Sequence, residues 1–297
     1  MKTIHTPTLE IAYEEHGPAN GAPVILLHGF PYDGHAYDQV APPLAKDGCR
    51  VLVPWLRGYS PTRFLSKETP RSGEQAALGN DLRQFMDALG IERAALAGYD
   101  WGGRAACVVS ALWPERVRCL LSCGGYNLFN TATMNQPASA ATEVRLWYQY
   151  YFHTPRGVAG LEKNRRDIAR TLWSLWSPSW KFDDAMFERS AKAFDNPDFV
   201  AVVIQSYRHR YGNAPGDPQL LEIEAALGKE PNITVPTINI HGGDSGISPV
   251  SELDAAKRHF TGFYERRVVP GVGHNVPQET PAETIRALRD LLERTRP

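Results

Sequence analysis

Residues 95–103 read Ala95-Leu96-Ala97-Gly98-Tyr99-Asp100-Trp101-Gly102-Gly103. A short run of small apolar residues, suited to a buried strand, meets a sharp turn and then a helix expected to reach about Trp113, before Pro114. Glycines stand two places before and two places after Asp100. This is the spacing in which small neighbours let a strained backbone lift one nucleophilic side chain above a sheet. It also suits an ordinary turn in which Asp100 caps the helix. The rest of the chain has to separate the two.

Outward from that turn, β-rich runs alternate with helix-periodic ones. Residues 9–13, 24–27, 50–53, 94–97 and 117–122 read as strands. Between them Leu78, Leu82, Phe85, Met86 and Leu89 recur at helical spacing, and Gly90 supplies a stop. From about residue 130 to 227 the chain is rich in Trp, Tyr and Arg, with helical stretches expected to break at Pro155, Pro178, Pro197 and Pro215. Residues 233–240 and 262–269 then restore strands, and 281–292 closes as an amphipathic helix. The pattern predicts an α/β core with a mostly parallel sheet, divided by a helical insertion. The expected parts are a first core half at 1–130, a helical cap at 131–228 and a second core half at 229–297.

Composition narrows the function class. The chain has 297 residues and a formal net charge of −1, with both signs scattered, so bulk electrostatics draw in neither nucleic acid nor an anionic membrane. No apolar run is long enough to span a bilayer, and the first residues show no signal region, so a cytosolic protein is expected. Cys49, Cys107, Cys119 and Cys123 lack metal-ligand spacing and read as buried reduced thiols. No metal or organic cofactor is expected, and the oligomeric expectation is a monomer or homodimer.

An Asp at the turn has chemical content. A carboxylate that attacks an sp³ carbon forms an alkyl ester, whereas attack on a carboxylic ester gives a strained anhydride. Asp100 therefore argues for opening an epoxide or a carbon–halogen bond, and its place at a helix N-terminus favours the ionised form. His274, in Gly271-Val272-Gly273-His274-Asn275, follows the last strand and so has the address of a base at the carboxyl edge of the sheet. Asp244, which ends the strand around 238–240, is expected to orient that imidazole, although the same residue suits an Asx turn. His28 and His241 read as structural.

With these pieces the chain resembles the α/β-hydrolase superfamily, and within it the soluble epoxide hydrolases. The Asp-Trp-Gly-Gly turn, the His28-Gly29-Phe30-Pro31 loop and Arg57-Gly58-Tyr59-Ser60 look like theirs. The resemblance implies an oxyanion hole made by the backbone N–H groups of Phe30 and Trp101. It also implies two cap tyrosines that hold the epoxide oxygen. One matches Tyr148 in Tyr148-Gln149-Tyr150-Tyr151-Phe152, the other Tyr207 before Arg208. Aromatic lids pack many tyrosines, so Tyr150, Tyr151 or Tyr211 could face the pocket instead.

The function implied is conversion of a small-molecule epoxide to a vicinal diol. Its nearest rival is a haloalkane or fluoroacetate-type dehalogenase with the same Asp nucleophile. Haloalkane dehalogenases resemble this chain at Trp101 but usually carry Asn where Phe30 stands. Fluoroacetate dehalogenases have Arg in the place of Trp101 and an acid in the loop that here reads Ser122-Cys123-Gly124-Gly125-Tyr126. Arg104 matches a second carboxylate-binding Arg of that branch; on the first turn of the helix it suits a structural salt bridge elsewhere as well as contact with an acidic substrate, for which it is the candidate. A catalytically weak ligand-binding homologue is the alternative from another class.

Overall fold

The computed structural model describes residues 1–296 of the protein. Nine strands form one sheet: β1 (Lys2–His5), β2 (Leu9–His16), β3 (Ala22–Leu27), β4 (Cys49–Pro54), β5 (Arg63–Phe64), β6 (Ala94–Tyr99), β7 (Val117–Cys123), β8 (Thr237–Gly242) and β9 (Tyr264–Val269). The path runs β1-β2-β4-β3-β6-β7-β8-β9, with β5 paired to β2. From β4 through β9 every pairing is parallel, while β1, β2 and β5 add antiparallel pairs at one edge. Among the described residues there are eleven α-helices: α1 (Ala41–Lys46), α2 (Gln75–Ala88), α3 (Asp100–Leu112), α4 (Ala140–Arg145), α5 (Trp147–Tyr151), α6 (Pro155–Trp176), α7 (Asp184–Ala191), α8 (Phe199–Arg210), α9 (Leu221–Leu227), α10 (Val276–Glu279) and α11 (Pro281–Arg294).

The order places the site. After β3 the chain steps outward to β4, then returns past β3 to β6, so strand order reverses between β3 and β6. Right-handed crossovers then put the helices of the two directions on opposite faces and leave a crevice at the carboxyl ends of β3 and β6. The loop after β3 carries Phe30, and the helix after β6 begins at Asp100. Because β3 and β6 are covered on both faces, they are apolar without alternation, and Val24 to Leu27 and Ala94 to Tyr99 are all buried.

Several expectations shift. The strand expected over 233–240 starts at Thr237, because Pro236 interrupts the run and Ile233 makes only an isolated bridge to Phe260. Pro155 starts α6 instead of breaking a helix: it occupies the first turn, where no N–H is needed, and Thr154 caps it by accepting from Gly157 N. The strand β1 has a mostly exposed pattern and so lacks the alternation that marks a half-buried strand. All four cysteines are buried and unbridged. Between β7 and β8 the described elements are all helical. No described helix is long and apolar enough to cross a membrane.

His28 is a load on this core. Its Nε2 accepts from Leu56 N at 3.0 Å and its Nδ1 faces the Gly29 carbonyl at 3.1 Å, which fits only the neutral ring with its proton on Nδ1. Burial pushes its pKa from 6.5 down to about 4. A folded pKa below the unfolded one means stability is full above pH 6.5 and drains as pH falls toward 4. The expected loss is about 3 kcal/mol. Urea titrations of wild type and His28→Asn at pH 7 and pH 4 check this. The stability gap between them should shrink by that amount, and a constant gap would remove His28 from the acid sensitivity.

Candidate active site

Asp100 is the first residue of α3 and has φ +50, in the left-handed region that non-glycine residues rarely occupy. Asp is among the residues that tolerate it best. The turn is held by close contacts: a Cβ on Gly98 would come within 2.4 Å of the Gly102 carbonyl oxygen, and one on Gly102 within 2.1 Å of that of Leu27. Neither position admits a side chain. The turn presses the Asp100 carboxylate against the β3 loop.

There Asp100 Oδ1 accepts two backbone hydrogen bonds, from Phe30 N at 2.8 Å and from Trp101 N at 2.7 Å. Oδ2 is left free and lies 3.7 Å from Nε2 of His274. Burial raises the pKa of Asp100, but the imidazole of His274, the charge of Arg104 and the Phe30 N–H outweigh it and hold the carboxyl below its usual value. The loop is anchored from above, since Trp173 Nε1 donates to the Pro31 carbonyl at 2.8 Å.

His274 follows β9 in the loop before α10. Its backbone N donates to Ser177 Oγ at 2.9 Å, and Ser177 in turn donates to Glu279 Oε1 at 2.6 Å. Glu279 also accepts from Gly273 N at 2.6 Å and Asn275 N at 2.9 Å. One carboxylate thus gathers the residues on both sides of His274 and ties them to the end of α6. The ring packs against Trp176, centroids 5.1 Å apart, and its Nε2 is buried with no hydrogen-bond partner. Neither Ser177 nor Glu279 was singled out from sequence.

The expected contact between Asp244 and His274 is not present. Asp244 is exposed; its Oδ2 accepts from Ser179 Oγ at 2.5 Å and its Oδ1 from Gly271 N at 3.3 Å. The address after β8 is as expected, but the loop turns outward. Asp244 N donates to the Val272 carbonyl at 2.8 Å, which clamps the two loops together with the side chain on the solvent side. A triad carboxylate that orients its imidazole is worth about 10⁴ in kcat in the serine hydrolases. Here Asp244→Asn is expected to lower kcat by less than about tenfold, measured by steady-state turnover. A loss of about a thousandfold or more would return Asp244 to the imidazole.

Tyr148 on α5 and Tyr207 on α8 are brought together, with ring centroids 5.3 Å apart and at 6.2 and 5.4 Å from Phe30. Both are buried. Gln149 sets their polarity. Its Oε1 accepts from Tyr211 Oη at 2.8 Å and from Arg210 at 3.1 Å, so its amide nitrogen faces Tyr148 and donates to Oη at 2.8 Å. Tyr148 Oη is therefore an acceptor toward Gln149 and keeps its own proton for another partner. Burial pushes Tyr148 up to about 12 and Tyr207 well above the ordinary phenol range, and the Asp100 charge adds to both. Two of the alternatives face elsewhere: Tyr150 is exposed and donates to Glu143, and Tyr211 is the bracket on Gln149.

Arg104 lines a cavity of about 90 Å³ with Asp100, Asn127, Ser245, Ser248 and His274. Among the described residues no cluster of three or more His, Cys, Asp or Glu side chains is arranged to hold a metal.

The model of the α/β hydrolase fold family matches residues 22–281. Mouse bifunctional epoxide hydrolase 2 is 30% identical over 73% of this chain, and the chain spans only 36% of that relative's length. A haloalkane dehalogenase of Mycobacterium marinum is 31% identical over 74% of this chain and 68% of its own. A crystal structure from Klebsiella pneumoniae, provisionally described as an epoxide hydrolase, superposes with a TM-score of 0.96. It is 47% identical, covering 98% of this chain and 96% of that one.

Proposed function

The chain belongs to the α/β hydrolase fold family, and from that premise we propose that it is an epoxide hydrolase working through an ester on Asp100. One observation carries the reading: an ionised carboxylate with Oδ1 in two backbone N–H groups and Oδ2 free, in a site closed by two buried tyrosines. The helices between β7 and β8 act as its cap.

In the proposed reaction the epoxide oxygen accepts hydrogen bonds from Tyr148 and Tyr207. Asp100 Oδ2 attacks a ring carbon from the far side and the carbon–oxygen bond breaks. The new alkoxide takes a tyrosine proton, since a phenol near pKa 12 is still a far stronger acid than an alcohol. His274 then takes a proton from water, and the hydroxide adds to Cγ of Asp100. Negative charge collects on Oδ1, already held by the Phe30 and Trp101 N–H groups. Collapse expels the second alkoxide, which takes the proton from His274. Asp100 gives up its acquired proton, which restores the tyrosine, and a vicinal diol leaves.

A dehalogenase is the second reading, favoured by the indole N–H of Trp101, which is buried without a partner and could hold a halide. The tyrosines separate the two, because a departing halide needs no proton. The test is a single turnover with propylene oxide and styrene oxide in ¹⁸O-water, beside halide release from 1,2-dibromoethane and fluoroacetate. Unlabelled diol with ¹⁸O in the Asp100 peptide supports the ester route; halide without diol would sink the epoxide reading. Tyr148→Phe and Tyr207→Phe are each expected to cost about 10- to 100-fold in diol formation, and the pair about 10³ or more. Equal losses for epoxide and halide substrates would remove the tyrosines from the ring-opening step.

A further inference from the structure

Arg57 shows how this protein ordinarily buries an arginine. Two of its guanidinium nitrogens donate to the two oxygens of Asp81, and a third bond goes to the Ser72 carbonyl. Arg104 and Arg210 are also buried, each 8% exposed, without such a partner. Arg104 Nε donates to the Asn127 carbonyl at 3.3 Å, and Arg210 Nη1 to the Gln149 amide oxygen at 3.1 Å. Both guanidinium groups lie against the ring of Phe129, at 4.9 and 5.0 Å. Among the described residues neither forms an ion pair with a carboxylate, and Arg210 Nε is buried with no partner at all.

Two like charges thus share one aromatic ring behind the site. Burial, then the charge of Arg210, brings the Arg104 pKa down to about 10. Asp100 is the anion that eases this, and it is the group the reaction consumes. Once it is an ester, the negative charge has passed to the tyrosine that gave up its proton, and no carboxylate other than Asp100 lines the cavity that Arg104 faces. A buried cation without a counterion is costly, and a pair more so. Arg104 opens onto the cavity it shares with Asp100 and His274, which lies over the ends of β7 and β8 and is further lined by Asn127, Ser245 and Ser248.

We propose that this cavity is a carboxylate subsite in which a small carboxylate pairs with Arg104 beside Asp100 and His274. The inference rests on the epoxide reading of the same site and gives it a substrate class. The carboxylate is either part of the substrate, making it a short epoxy acid, or a small free acid bound beside a neutral epoxide. A fork-shaped guanidinium fixed by Phe129 and Asn127 suits a planar carboxylate. The cavity of about 90 Å³ has room for a three-carbon acid.

The test compares two near-isosteric probes, glycidate and glycidamide, which differ in charge, on wild type, Arg104→Met and Arg104→Lys. A substrate-borne carboxylate gives wild type a kcat/KM ratio favouring glycidate by about 100 or more, falling toward 1 in R104M and partly kept in R104K. A free carboxylate instead appears as acetate-dependent acceleration of propylene oxide opening, lost in R104M. Binding is read separately from turnover: glycerate should raise the Tm of wild type and leave that of R104M unmoved. Loss of a buried, unpaired charge should not lower the Tm of the unliganded variant, so R104M remains a usable control. Diol from propylene oxide with no charge preference, no acetate effect and no glycerate shift would overturn the subsite and leave the epoxide reading standing. A glycerate shift that needs Arg104, without turnover of any epoxide, would keep the subsite and overturn the epoxide reading.

Discussion

Asp100→Asn protein should form neither diol nor covalent adduct, with kcat/KM lower by about 10⁴ or more. Asn suits the left-handed backbone at φ +50, and its amide oxygen can still accept from Phe30 N and Trp101 N. The turn therefore survives while the second oxygen, the one facing His274, is replaced by an uncharged nitrogen. An alanine there would lose both oxygens and sit less well in the left-handed region, so Asn is the cleaner probe. The folded-state pKa of Asp100 lies below 3.8, so its ionisation adds stability that is present above that pH and lost as pH falls through the lower value. The Asn variant should accordingly melt slightly below wild type at pH 7, and the gap should close in acid. Steady-state diol formation and intact-mass measurement after mixing with propylene oxide read the chemistry. Turnover above about 1% of wild type would take the nucleophile role from Asp100.

The parts of the site that sequence exposes are those fixed by local backbone. Gly98 is demanded by the Gly102 carbonyl within the turn and Gly102 by the Leu27 carbonyl at the end of β3, and because the backbone admits no side chain at either place, the spacing around Asp100 is visible as a pattern. The Phe30 loop follows directly on a strand whose apolar run marks it as central. Parallel strands buried on both faces leave unmistakable runs, whereas β1, with a mostly exposed pattern, leaves none. What sequence does not expose is direction at long range. Asp244 stands where an orienting acid would, but Ser179 and Gly271, 65 and 27 residues away along the chain, decide which way its carboxylate turns. Glu279 acts on His274 through three donors, one of them Ser177 at the far end of α6, and no periodicity announces that. Arg210 follows Tyr207 by three positions, yet its lack of a counterion is a property of everything packed around it.

His274→Gln should separate the two halves of the reaction. Asp100 is already ionised, so ring opening needs no base, and the variant should be alkylated in a burst of about one equivalent. Hydrolysis of the ester does need one, and it should slow by about 10³ or more, so the adduct accumulates at the mass of enzyme plus epoxide. The Nε2 atom has no protein partner and lies 3.7 Å from Oδ2, which leaves it free to take a water proton on the side where the ester forms. His274 also helps hold down the pKa of Asp100. Its removal should therefore shift the acid limb of the alkylation rate to higher pH while leaving the plateau within about tenfold of wild type. That pairing of a near-normal burst with a moved acid limb is not what a misfolded protein gives. Rapid-quench measurement of epoxide consumption and intact-mass time courses across pH measure both. If His274→Gln turned over many equivalents with no adduct, the base would lie elsewhere. If it showed neither burst nor adduct, His274 would be needed for ring opening itself, which the free carboxylate of Asp100 argues against.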